Sequence, residues 1–164
     1  MTKDKISSFQ VRITQSNKTE LIVILYEIFF AYMEDALALL DGMSEEKTSE
    51  QLRDYAKAIR MASQVVRHLE DDLNFSYEIS GSLFGLYSFV ENNIAKASYS
   101  LKKEDLEDAL KVMKPLYESF KEVAKADDSK PLMQHTQKVS AGYTYGRNDV
   151  NEAIGAESNR GFFA

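Results

Sequence analysis

The stretch Asn17-Lys18-Thr19-Glu20-Leu21-Ile22-Val23-Ile24-Leu25-Tyr26-Glu27-Ile28-Phe29-Phe30 decides how this chain folds. Asn17 and Glu20 have capping-box spacing. The Asn17 side chain can accept the Glu20 backbone N–H while the Glu20 carboxylate reaches back to the cap. That predicts a helix from about Lys18 to Leu40, stopped at Asp41-Gly42. Leu21 to Leu25 are then five large aliphatics in succession. Neighbours on a helix point about 100° apart, so these five point all the way round the axis. Ile28-Phe29-Phe30 repeats the excess. A core-facing stripe needs only a little more than about 100° of the helix surface. The helix is therefore either central and covered on all sides, or it exposes an apolar groove of the kind that marks binding sites.

Working outward, Thr48 and Gln51 repeat the capping logic and open a second helix. Its apolar stripe, Leu52, Tyr55, Ile59, Ala62, Val66 and Leu69, advances in steps of three or four. A third helix is predicted from near Glu78 to about Ser100, with Ile79, Leu83, Leu86/Tyr87, Val90 and Ile94 on its stripe. A fourth begins at Lys103 or Glu104 and carries Leu106, Leu110, Met113, Leu116 and Phe120. Pro115 lies inside it and either kinks it or ends it early; the stripe continues in phase to Phe120, which favours a kink. Four helices with short connections predict an all-α fold, an antiparallel four-helix bundle, over residues 17–124. Residues 1–16 read as an irregular N-terminal arm with isolated apolar positions at Ile6, Phe9, Val11 and Ile13. Residues 125–164 form a C-terminal extension that holds Tyr143, Tyr145, Phe162 and Phe163. These aromatics either anchor the extension or are stray.

Composition excludes several functions. Among 164 residues there is no Cys, which removes disulfides, thiolate catalysis and Cys-ligated metal. Lys and Arg number 20 against 26 Asp and Glu, a net charge of −6, so the basic footprint that nucleic acid demands is missing. The extension has five basic and five acidic side chains, so the excess negative charge sits on the helices. The start has no apolar signal region. The nearly uncharged run Leu21 to Met33 is 13 residues and includes Glu27, short of the roughly 20 a membrane span needs. A cytoplasmic location is the expectation, with no membrane partner.

Catalytic patterns are equally scarce. His68 and His135 are the only histidines, and neither sits in the Glu-x-x-His pattern of a di-iron bundle. No phosphate loop, nucleophile elbow or zinc-protease helix occurs. Gly81 and Gly85 lie in a helix pattern without the strand a phosphate loop requires. Asp71-Asp72 reads as a solvated helix end, since adjacent residues do not share a helix face. The expectation is no enzyme, no metal and no cofactor. The surplus apolar surface points instead to a protein ligand. Ile22, Ile24 and Phe30 are the best candidates to line a groove, because Leu21, Leu25, Ile28/Phe29 and Tyr32 already supply a core stripe. Tyr26 and Tyr87 could offer a ring to the groove and a hydroxyl to a partner, or lie satisfied inside the bundle. Phe9 and Ile13 of the arm are placed to cover the groove in the free state, and arm and extension could equally bury the excess for good. Such a groove is also suited to pairing two copies in a homodimer.

Three motifs in order carry a resemblance. Glu20-Leu21-Ile22-x-Ile24-Leu25-Tyr26 resembles the signature that opens the first helix of the FliS family, with Asn17-Lys18 where the family has Ser/Thr-Pro. Ala62-x-x-Val65-Val66-x-x-Leu69-x-x-x-Leu73 runs without a gap into Ile79-x-x-x-Leu83-x-x-Leu86-Tyr87-x-Phe89, and both are similar to the family's middle segment. Leu116-x-x-x-Phe120 is similar to the motif near its end. The resemblance covers roughly residues 9–124 and leaves the extension outside it. It implies a cytosolic export chaperone that binds the C-terminal segment of flagellin, prevents premature polymerisation and delivers it to the flagellar type III export apparatus. On that reading Ile22, Ile24, Tyr26, Phe30 and Tyr87 contact the client. The alternative is a helical adaptor or regulator of the same export system that binds another partner through the extension.

Overall fold

Both capping boxes form. Asn17 accepts the Glu20 amide at 2.8 Å and donates its own to the Glu20 carboxylate at 2.9 Å. Thr48 and Gln51 make the same reciprocal pair at 3.2 and 3.1 Å. The computed structural model describes residues 1–43 and 47–133. The expectations for His135, Tyr143, Tyr145, Phe162 and Phe163 fall outside these residues. Five helices occur, α1 Lys3–Gln15, α2 Lys18–Asp41, α3 Ser49–Asp71, α4 Glu78–Ser100 and α5 Lys103–Ala126, and no strand is found among the described residues.

The four long helices start and stop within a residue or two of the positions expected. α2 packs on α3 and α5, and α4 packs on α3 and α5, so the four close a ring. These neighbours are compatible with a four-helix bundle. Its core holds Tyr26, Phe29 and Met33 of α2, Tyr55 and Val66 of α3, Tyr87, Val90 and Ile94 of α4, and Leu106 and Met113 of α5. α5 runs unbroken through Pro115, so the early stop is excluded. The link from α4 to α5 is two residues long and turns at Leu101, whose φ of 55° is left-handed. Asp105 secures that corner by accepting from Lys96 at 2.6 Å and from the Ser100 hydroxyl at 2.7 Å.

The arm is a correction. Residues 3–15 are not irregular but form α1, capped by Thr2, which accepts the Lys5 amide. Ile6, Phe9 and Ile13 lie three and four apart, which is helical spacing. A helix this short is marginal alone in water. It persists here because Phe9 and Ile13 pack on α2. Beyond α5, the chain returns to the junction of α1 and α2. Asn17 Nδ2 donates to the carbonyls of Asp127 and Ser129 at 3.1 and 3.4 Å, and Leu132 N–H donates to the Ser16 carbonyl at 3.0 Å.

Candidate functional site

The surplus apolar surface of α2 is covered on three sides. One face packs into the ring core. A second carries Phe30, whose ring meets Tyr117 of α5 edge-on at 5.4 Å. The third lies under α1. There Phe9 packs with Ile24 and Ala31 in a small cluster of its own, edged by Ile13, Ile28 and Met1. The sequence left open whether α2 is covered or grooved; it is covered, and the third cover is a separate short helix.

Charge fixes the register of that cover. The amino group of Met1 pairs with Asp35, Lys5 Nζ lies 3.6 Å from Glu34, and Arg12 pairs with Glu27. Three cations, the amino group just before α1 and two side chains on it, thus face three carboxylates on α2. Glu27 also accepts the Tyr117 hydroxyl of α5 at 3.2 Å. An exposed pair such as Lys5–Glu34 contributes little stability and mostly sets alignment. The seating is not close-packed. A cleft of about 550 Å³, lined by Met1, Ile6, Tyr32, Leu39, Lys57 and Met61, opens where the start of α1 meets α2 and α3. A second of about 310 Å³ opens at its other end beside Gln15, Val23 and Ala124.

The residues expected to meet a client do not share one place. Ile24 is buried directly beneath α1. Ile22 and Phe30 are half-buried against the ring core. Tyr26 and Tyr87 are 0% and 1% exposed, and their hydroxyls meet at 2.7 Å, so the structure places both inside the ring. Burial there pushes both phenols above their ordinary range, most strongly Tyr26. Phe9 is 8% exposed and Ile13 half-buried, the two arm residues expected over the groove.

A second surface was missed. Ile79 and Leu86 were assigned to the inner stripe of α4, yet Ile79 is 65% exposed and Leu86 lies at the surface. Phe84 and Phe89, 45% and 48% exposed, lie on the same helix, and Phe75 and Tyr77 precede it. The stripe Leu83, Tyr87, Val90 and Ile94 that packs inward was legible. The signal overlooked was that α4, like α2, is apolar well beyond that stripe.

Among the described residues the chain is all-helical, a ring of four long helices with one apolar face of α2 held under a charge-aligned short helix and apolar side chains of α4 left exposed. The sequence matches the family described as flagellar protein FliS over residues 2–127, and the chain belongs to that family, the flagellar export chaperones. Comparison with curated proteins gives no significant match. No helix among the described residues is long and apolar enough to cross a membrane.

Proposed function

We propose that this chain is a cytosolic chaperone that binds the C-terminal segment of flagellin, keeps it from polymerising and presents it to the flagellar export apparatus. Family membership supports the export role. The observation that carries the binding step is the apolar face of α2 under α1, with Ile24 at its centre and Phe9 as its lid. A client helix that displaces α1 gains the face that Phe9 and Ile13 vacate. This is helix-in-groove recognition, with the chain's own helix as the resident ligand. Ile22 and Phe30 flank the face and can extend the contact, whereas Tyr26 and Tyr87 support it from within.

The energetics suit a chaperone that must release its client. Ordering a disordered segment costs about 2–5 kcal/mol. Opening α1 reduces the apparent affinity further, by the fraction of molecules already open. The client is therefore held by the difference between two similar contacts. A second copy of the chain is also a partner in this reading, and it does not use the α2 face, which α1 fills in each copy.

Calorimetric titration with the C-terminal peptide of flagellin tests the proposal. The expected result is a 1:1 complex with a negative heat-capacity change, weakened at least tenfold by Ile24→Asp in a protein of unchanged helix content. A peptide that gives neither heat nor a complex by gel filtration overturns it and favours the adaptor reading.

A further inference from the structure

α1 fills the face of α2 that the client takes in the reading above, so its side chains record what that face accepts. We infer that Glu27 and Glu34 make this face select a basic client helix, one with two cations seven residues apart and a large apolar side chain between them. The inference rests on the client reading and adds to it the chemistry of the segment that binds.

The resident helix supplies the pattern. Arg12 pairs with Glu27, and Lys5 Nζ lies 3.6 Å from Glu34. The two cations are two turns apart on α1, and so are the two carboxylates on α2. They pair in opposite order, so the helices lie antiparallel. Between the two ion pairs Phe9 packs with Ile24 and Ala31. Ala31 is 2% exposed, and its small side chain leaves room for a ring beside Ile24. The Arg12 guanidinium lies 5.9 Å from the centre of that ring, which holds cation and aromatic together. Ile13 closes the edge of the cluster. The accepted pattern is therefore Lys5-x-x-x-Phe9-x-x-Arg12-Ile13.

An apolar face alone admits any amphipathic helix. The carboxylates add a condition. The Glu27 side chain is 24% exposed beneath α1, and besides Arg12 it accepts the Tyr117 hydroxyl at 3.2 Å. Tyr117 belongs to α5 in the ring, so it keeps the carboxylate aimed at the same place when α1 lifts. Water then replaces Arg12. A client helix that covers the face expels this water, and one without a cation leaves the carboxylate with a single neutral donor. A client with an acid there sets like charges together and is rejected. Glu34 is far more exposed and adds a weaker preference at the second position.

The test reads the ratio of affinities for two peptides in one protein, so the docking of α1 cancels. One is the C-terminal peptide of flagellin, and the other is the same peptide with Glu in place of every Lys and Arg. Fluorescence anisotropy on the full chain should show at least a tenfold preference for the first. The exchange variant Arg12→Glu/Glu27→Arg keeps an ion pair for α1 and leaves the net charge at −6. It should abolish or reverse the preference. Equal affinities in the wild type, or a preference unchanged by the exchange, overturn the inference. A flagellin peptide that does not bind at all is instead a failure of the client reading. Charge selection is then decided on full-length Phe9→Ala, whose own α1 lacks its largest apolar contact, with a synthetic copy of residues 1–15 as the probe. That copy should bind at least tenfold more tightly than one carrying Lys5→Glu and Arg12→Glu. Equal binding of the two copies, or binding of neither, overturns the inference.

Discussion

Replacing Phe9 with Ala should tighten client binding rather than weaken it. Phe9 is 8% exposed and is the largest side chain that α1 contributes to its contact with Ile24 and Ala31. Burying a phenylalanine is favourable by about 1.5–3 kcal/mol. Truncation in a core removes that and adds a cavity cost, but a helix seated between two clefts can shift or lift instead of leaving a void. About 2 kcal/mol is therefore lost, and it is lost from docking of α1, not from the ring. At 1.4 kcal/mol per decade this lowers the docking constant roughly 30-fold. If α1 must leave before the client binds, the apparent affinity rises by up to the same factor, reaching its limit when α1 is mostly open. Calorimetry with the flagellin peptide reads the affinity, and amide exchange reads α1. The urea midpoint of the ring should scarcely move while residues 3–15 lose protection. Weaker client binding in Phe9→Ala, with the ring intact, refutes the reasoning, because Phe9 would then be helping the client.

Further predictions concern the ring. The Tyr26 and Tyr87 hydroxyls satisfy one another at 2.7 Å in a buried site, so Tyr26→Phe alone should destabilise by about 1–3 kcal/mol by orphaning its partner. The double variant Tyr26→Phe/Tyr87→Phe should cost less than the sum of the singles in urea unfolding, and strict additivity would show that the pair is not coupled. Hydrogen bonds from Lys96 and Ser100 hold the Asp105 carboxyl below its ordinary value of 3.8. Its contribution is thus fully present above that value and is lost as pH falls through the lower, folded-state value. In acid titrations followed by circular dichroism, the stability gap between wild type and Asp105→Asn should be widest near neutrality and close at low pH; a gap independent of pH contradicts this. Glu70 has a buried carboxylate oxygen without a partner, and burial with the nearby Glu91 raises its pKa. The folded state therefore disfavours its ionised form, and Glu70→Gln should stabilise at neutral pH by up to about 1 kcal/mol, with the advantage shrinking in acid; a lower thermal midpoint at pH 7 counts against it.

The sequence patterns marked helices well and their covers poorly. Reciprocal pairs such as Asn17–Glu20 and Thr48–Gln51 set helix starts through local hydrogen bonds, so they are readable locally. The excess on α2 was also plain, because five consecutive aliphatics cannot all face one way. What covers that excess is a matter of neighbours, and periodicity carries no such information. α1 escaped notice because its four apolar positions are sparse and its stability comes from docking. One part of the site was decidable from angles alone. Residues two apart on a helix point about 200° away from each other, so Ile24 and Tyr26 could not line one groove. The structure puts Ile24 under α1 and Tyr26 in the ring. On α4 the stripe that packs inward drew attention from the aromatics beside it, and Gly81 and Gly85 were weighed only against phosphate loops.

The account turns on whether α1 and the client compete for the same face of α2. Amide exchange of the full chain, with and without a saturating C-terminal flagellin peptide, tests this most directly. The account predicts that residues 3–15 lose protection when the peptide binds, while the α2 segment around Ile24 and Ala31 stays protected. A saturated complex in which residues 3–15 remain as protected as in the free chain would contradict it.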